Sequence, residues 1–408
     1  MENHNPPARF DMASYDRGQL DAIVGRFFDI ESITLGKQED ILVRYLGRLR
    51  SEDSEAAYDE LSAALQPFNV TPLFRWEGEQ HAIQLVPGKP TPTRSNPLVN
   101  LVMFIITLIC VITVSGLNAL DRVQEGDFLS MLAGIAREGL PFAISFLGIL
   151  AAHEFGHYLM GRYHGVHVTL PYFIPMPLPP FGTMGAFIQM KEPPKNRRHL
   201  LDIGLAGPLA GLAVAIPVLI LGLYLSKVEA LPLQIAPNTG LQLEGNSILY
   251  LFLKYAMFGQ LLPAPQSFGN LPEWLYWLQY FFTGRPYPLG GSDVLLHPVA
   301  LAGWAGILIT ALNLVPAGQF DGGHVMYTLF GRKNAQRILP FILAILAVLS
   351  IFWFGWLIWI AMIFFLGRTY AEPLDQITEL DEGRKRLGVF ALVVFILVFT
   401  PVPLNLIM

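Results

Sequence analysis

Gly139 to Tyr163 reads GLPFAISFLGILAAHEFGHYLMGRY. A run of this length and apolarity is what an α-helix needs to cross the ~30 Å hydrocarbon core of a bilayer, yet its second half carries His153, Glu154 and His157. On a helix, residues i and i+4 project from one face about one turn apart, a spacing that suits one zinc ion held by two imidazoles. Neutral imidazole nitrogens bind zinc at about 2.0–2.1 Å, and Glu154, beside the first histidine, can reach water at the ion as a general base. An ionisable group at membrane depth costs about 2.5–3.5 kcal/mol on insertion scales unless it is paired or metal-bound. That cost weighs against the plainer reading, two satisfied interfacial histidines with Glu154 snorkelling to water.

The remaining chain agrees with a lipid setting. Hydrophobic residues make up 53% of the 408 and charged residues only 14%, against about a quarter charged in soluble domains. Apolar spans recur at about 98–118, 139–163, 203–226, 297–316, 336–351, 352–369 and 387–405. The stretch 248–262 is shorter and holds Lys254, so it reads as interfacial or re-entrant. Seven spans also satisfy the positive-inside rule. Lys191, Lys195, Arg197, Arg198, Arg332, Lys333, Arg368, Arg384, Lys385 and Arg386 then share the side of Arg94 and the N-terminus. Asp121, Glu125, Asp127, Glu229, Glu244 and Asp293 fall opposite.

The expected fold is therefore an all-α polytopic membrane protein of about seven transmembrane helices with a small N-terminal soluble α+β domain. Residues 1–88 supply that domain. Ser54 before Ala57, Leu61 and Leu65 marks a capped helix with one apolar face, and Leu73–Trp76 and Ala82–Val86 flank a turn at Gly78. Residues 89–97, with Pro90 and Pro92, read as a linker, and 98–408 as the multi-span domain. The first 20 residues hold no apolar leader, which keeps the N-terminus on the side of synthesis.

A catalytic zinc site needs a third protein ligand and an open position. The extended three-histidine pattern fails, because Tyr163 stands at its third place and His164 is one off register. Glu192 lies in a Pro-rich basic loop and Glu372 directly before Pro373, both poorly placed. Asp321 is the better candidate. The run NLVPAGQFDGG, Asn313–Gly323, ends an apolar span with a helix breaker and then a carboxylate. Non-helical backbone at membrane depth requires a polar chamber to satisfy it. The alternative is an ordinary juxtamembrane Asp that starts a short helix from Gly322 to Phe330.

HEFGH on an early span and NLVPAGQFDGG closing a later one together resemble the site-2 protease family of intramembrane zinc metalloproteases. The likeness covers about residues 95–405 and is nearest the branch of plastids and photosynthetic or related bacteria, which has a soluble N-terminal region and no PDZ domain. The resemblance implies one Zn2+ per chain held by His153, His157 and Asp321, with Glu154 as base and Asn313 as a conformational or oxyanion-stabilising neighbour. It also implies a membrane-associated substrate clamp, which Gly182, Thr183, Met184, Gly185, Ala186 and Phe187 would form. The substrate would be a transmembrane segment of another protein, and the location a bacterial inner or plastid membrane.

Other classes are disfavoured. A net charge of −5 offers no field for nucleic acid. One cysteine, Cys110, excludes an intrachain disulfide and a cysteine metal cage. A transporter would show inverted repeats, and none is visible. A silent membrane scaffold would bind no zinc, and a prenyl-peptide type of protease would depend on Glu372 and not on Asp321. Ala206–Gly211, AGPLAG, reads as close helix packing.

Overall fold

Alternating strands near the N-terminus and long apolar runs beyond them give the chain two different constructions. The computed structural model describes residues 16–35, 41–88, 95–117, 128–233, 241–286 and 290–407. One compact unit comprises Met1–Thr93, Lys191–Leu200 and Glu372–Asp381, and a second comprises the rest. Most of the expected linker, and Asp121, Glu125 and Asp127, lie outside the described residues.

In the first unit, α1 (Arg17–Val24), β1 (Phe28–Leu35), β2 (Val43–Leu49), α2 (Ser54–Leu65), β3 (Val70–Glu77) and β4 (Gln80–Pro87) follow in order. The sheet is antiparallel in the order β1-β2-β4-β3. The helix expected behind Ser54 is present, but its cap is Asp53, which accepts from the Ala56 N–H at 3.0 Å. Ser54 instead pairs with Thr378 at 2.8 Å. Leu20, Phe28, Tyr45, Tyr58, Leu61, Phe74 and Ile83 fill the core, and Ile377 joins them from the far end of the sequence.

The free edge of β3 is occupied by that same distant segment. The Phe74 N–H donates to the Leu374 carbonyl and the Gln376 N–H to the Phe74 carbonyl, both at 3.0 Å. Beyond it, the Leu374 and Asp375 N–H groups donate to Pro194 and Lys195 carbonyls at 3.0 and 2.7 Å. Two loops thus lengthen the sheet and cover an edge that would otherwise invite foreign strands. Glu55 on α2 holds one of them through Asn196 and Arg198, each at 2.9 Å, and Lys195 at 3.2 Å. Burial alone would raise the Glu55 carboxyl, but the bonds and charges of Lys195, Asn196 and Arg198 together outweigh it and hold the group below its usual range. Truncation Ile377→Ala is expected to cost this unit about 2–4 kcal/mol. Hydrogen exchange checks it, since the Phe74 and Gln376 amides should lose protection together.

The second unit is built on α3 (Pro97–Leu117), α4 (Phe128–Tyr163) and α5 (Arg197–Leu225), three helices long and apolar enough to cross a membrane. Between α4 and α5 lies the hairpin β5 (Tyr172–Pro175) and β6 (Thr183–Phe187). After α5 come β7 (Lys227–Ala230), β8 (Leu241–Glu244), α6 (Ile248–Phe258), α7 (Glu273–Thr283) and β9 (Ser292–Leu295), with β7 paired to β9. Then follow α8 (Pro298–Asn313), α9 (Asp321–Leu349), α10 (Trp356–Leu366), α11 (Glu382–Val398) and β10 (Leu404–Ile407), which pairs with β8. The expected spans at 297–316 and 352–369 form helices of 16 and 11 residues. Helix α9 breaks at Gly331, where φ is 76° and ψ 167°, and the expected 336–351 span lies past the break. Residues 404 and 405, read as the end of the last span, belong to the strand β10.

Phe146, Leu150, Leu219, Leu223, Trp304, Ile307 and Ala311 form the interior of this unit. The outside is as apolar as the inside: on α3, Leu98 is 61% exposed and Ile109 58%. Water does not tolerate a continuous face of this kind, whereas hydrocarbon does.

Candidate metal centre

Helix α4 turns His153, Glu154 and His157 inward, leaving them 3%, 5% and 7% exposed. Their counterpart arrives from α8, which stops at Asn313. The chain then passes through Pro316 and Gly318 (φ 51°) before restarting at Asp321 as the first residue of α9. Leu314, Val315 and Ala317 along this break are at most 2% exposed. Local bonds such as Ala317 N–H to the Val315 carbonyl, 2.8 Å, help satisfy the buried backbone. The first turn of a helix also favours an anion, so Asp321 sits well for a carboxylate.

Three atoms converge. Nε2 of His153 and Nε2 of His157 are 3.2 Å apart, and each is 3.3 Å from Oδ2 of Asp321. Among the described residues these three form the group able to hold a metal ion. Zinc bound at about 2.0–2.1 Å in a tetrahedron sets its ligands about 3.3–3.4 Å apart, close to all three edges. The tautomer fits too. Nδ1 of His157 lies 2.7 Å from the Ile203 carbonyl, which can only accept, so its proton is on Nδ1 and the Nε2 lone pair is free. The Asn313 side-chain amide stands 3.2 Å from His153 Nε2.

Helix α5 forms the wall behind the imidazoles. A Cβ on Gly207 would stand 2.0 Å from Nε2 of His157, and one on Gly211 would stand 3.1 Å from Cβ of His153. AGPLAG is therefore more than helix packing: its glycines are the space the ligands occupy. His324, 8% exposed, packs on the same wall at Gly204. His164 supplies no ligand and instead donates from Nε2 to Asp202 at 3.0 Å. Glu192 and Glu372 fall in the first unit and outside the metal-binding group.

The β5–β6 hairpin carries the residues expected to form a clamp. Gly182 (φ 77°) makes the bend, Thr183 donates to the Ile174 carbonyl at 2.7 Å, and Gly185 has φ 104°. Met184 and Phe187 are 70% and 46% exposed. The backbone N–H of Ile188, one residue past β6, faces the Glu154 carboxylate.

An HExxH helix and an Asp-bearing helix break, joined in one apolar helical unit, bring together a His–His–Asp group that could hold a metal ion, the donor set of a metallopeptidase type of site. The comparison with known proteins agrees: residues 141–354 match peptidase family M50, and the chain belongs to that family. It is similar to the probable zinc metalloprotease EGY2, chloroplastic, of Oryza sativa subsp. indica, at 30% identity over 66% of this chain and 44% of the relative. It is 28% identical to the proteins of Arabidopsis thaliana named probable zinc metalloprotease EGY2 and EGY1, chloroplastic. Those matches cover 69% of this chain and 45% and 46% of the relatives, so the chain spans about half their length. No solved structure matches it.

Proposed function

We propose that this chain is an intramembrane zinc metalloprotease that hydrolyses peptide bonds in or near transmembrane segments of other membrane proteins. The reading rests on the 3.2–3.3 Å triangle of His153, His157 and Asp321 donors with Glu154 at its side. One zinc ion per chain fits that donor set, and bound zinc would supply Lewis acidity toward water and the scissile carbonyl. Glu154 takes the proton from the attacking water and delivers it to the departing amine. Asn313 is placed to donate to the oxyanion as charge develops.

Access to the bond is the other half of the chemistry. A helical substrate hides its carbonyls in i to i−4 bonds, so it must unwind before it can be cut. Strand β6, with Gly182–Phe187, receives the unwound segment as an added strand, because β5 is its one partner in that sheet. The Ile188 contact joins the end of that strand to Glu154. The second unit lies in the bilayer with seven spans, the N-terminus on the side of synthesis, in a bacterial or plastid membrane. The relatives' chloroplastic names support that setting.

Zinc content and cleavage of a single-span test substrate, compared in wild type and Asp321→Ala, test the reading. Wild type should hold one zinc per chain and cut, and the variant should lose both. Full zinc in Asp321→Ala would detach the later motif from the site.

A further inference from the structure

The seam between α4 and α5 is close: the ring of His157 stands where a Cβ of Gly207 would be, and the Ala206 carbonyl lies against Gly156. Helices normally lock in place because side chains of one fit between those of the other. A face made of Gly204, Gly207 and Gly211 admits the histidines but has no side chains of its own with which to hold them. The site tolerates little slide, because the Ile203 carbonyl must stay 2.7 Å from His157 Nδ1 and Gly207 must stay opposite the ring.

Contacts along this seam run in opposite order on the two helices: His164 with Asp202, His157 with Ile203 and Gly207, His153 with Gly211. Asp202 thus closes the end of the seam, one residue before the carbonyl that orients His157. It is gripped from two sides. His164, just past the last residue of α4, donates to Oδ2 at 3.0 Å. Arg384, in the first turn of α11, donates from Nε to Oδ1 and Oδ2 at 2.9 and 3.1 Å and from Nη2 to Oδ2 at 2.7 Å. The side chains of Asp202 and His164 are 13% and 8% exposed, so little water competes for the bond between them, whereas Arg384, 32% exposed, reaches Asp202 from the wetter side.

We propose that Asp202 is a positioning residue for the metal site: tied to His164 and Arg384, it fixes the register of α5 so that Ile203 and the glycine wall hold His157. The proposal rests on the zinc-protease reading. A planar guanidinium bound at two oxygens prescribes direction as well as attraction, which glycines cannot supply. Buried ion pairs are better attested as devices that specify register than as sources of net stability.

The test uses the purified full chain and three readouts: zinc affinity by chelator competition, kcat and KM at saturating zinc, and thermal unfolding. Asp202→Ala should weaken zinc binding about 10–100-fold, the usual effect of disturbing groups that orient a ligand. It should lower kcat with KM little changed. Asp202→Asn, which keeps an acceptor, should recover part of the zinc affinity. Arg384→Ala removes one side of the tie and gives the same direction of change should Asp202→Ala fail to fold. A variant that unfolds earlier yet binds zinc as tightly as wild type would show a merely structural tie and overturn the proposal. Wild type that neither binds zinc nor cuts would instead sink the protease reading itself, and the positioning role with it.

Discussion

Gly207→Ala is expected to empty the metal site, although it adds a single methyl group. That methyl carbon would stand 2.0 Å from Nε2 of His157, 2.3 Å from Cδ2 and 2.5 Å from Cε1, far inside any non-bonded contact. The ring has no retreat. Its Nδ1 is held by the Ile203 carbonyl at 2.7 Å, and on the ligand side Asp321 and His153 stand at 3.3 and 3.2 Å. The two helices are close-packed here on both sides, since a Cβ on Gly156 of α4 would meet the Ala206 carbonyl at 2.4 Å, so room for the methyl group would require the helices to part. The helix itself gains: alanine is the better helix former by about 1 kcal/mol. Any loss therefore belongs to the ligand geometry. Bound zinc should fall below a tenth of the wild-type content and cleavage should disappear. Gly148→Ala, on α4 where nothing lies within 4 Å of the added carbon, is the control and should keep both. Full zinc occupancy in Gly207→Ala would refute the assignment of α5 as the wall of the site.

The metal group was legible because its chemistry imposes spacing. Two imidazoles and a base at i, i+4 and i+1 form a pattern that apolar surroundings sharpen, and a Pro–Gly break before a carboxylate inside a hydrophobic run signals buried polar space. The glycines of AGPLAG carry no such mark. Small residues in membrane helices serve close packing in general, and only coordinates reveal which neighbour uses the space. The hairpin at Gly78 was legible from its turn residue, whereas the segments that complete the first unit's sheet were not. Leu374–Gln376 and Pro194–Asn196 follow prolines and have no alternation, and they join the sheet largely through backbone bonds, which leave no imprint on side-chain pattern. Hydropathy also overran the helices: α10 is bounded by Gly355 and Gly367, and α8 ends at Asn313 before Pro316, so apolar composition continues where helical geometry stops. Asp53 displaced Ser54 as the cap because either side chain can accept from the first turn, and the chain bends into the helix one residue earlier.

Glu154→Gln should separate metal binding from turnover. Glutamine has the size and an acceptor oxygen of glutamate, so the 5% exposed side chain can keep its packing and an acceptor toward the Ile188 N–H. His153, His157 and Asp321 are untouched, and zinc content should stay at the wild-type level. What disappears is the ability to hold a proton between two steps. An amide cannot take one from water at neutral pH, and it has none to return to the leaving amine. General acid–base catalysis contributes about 10²–10⁴-fold, and in the proposed mechanism one group performs both transfers, so kcat should fall by at least the upper part of that range with KM nearly unchanged. Single-turnover cleavage on zinc-quantified protein makes the distinction. Undiminished turnover would move the base to another residue. Loss of zinc together with turnover, in protein that unfolds at the wild-type temperature, would mean that Glu154 shapes the ligand cage.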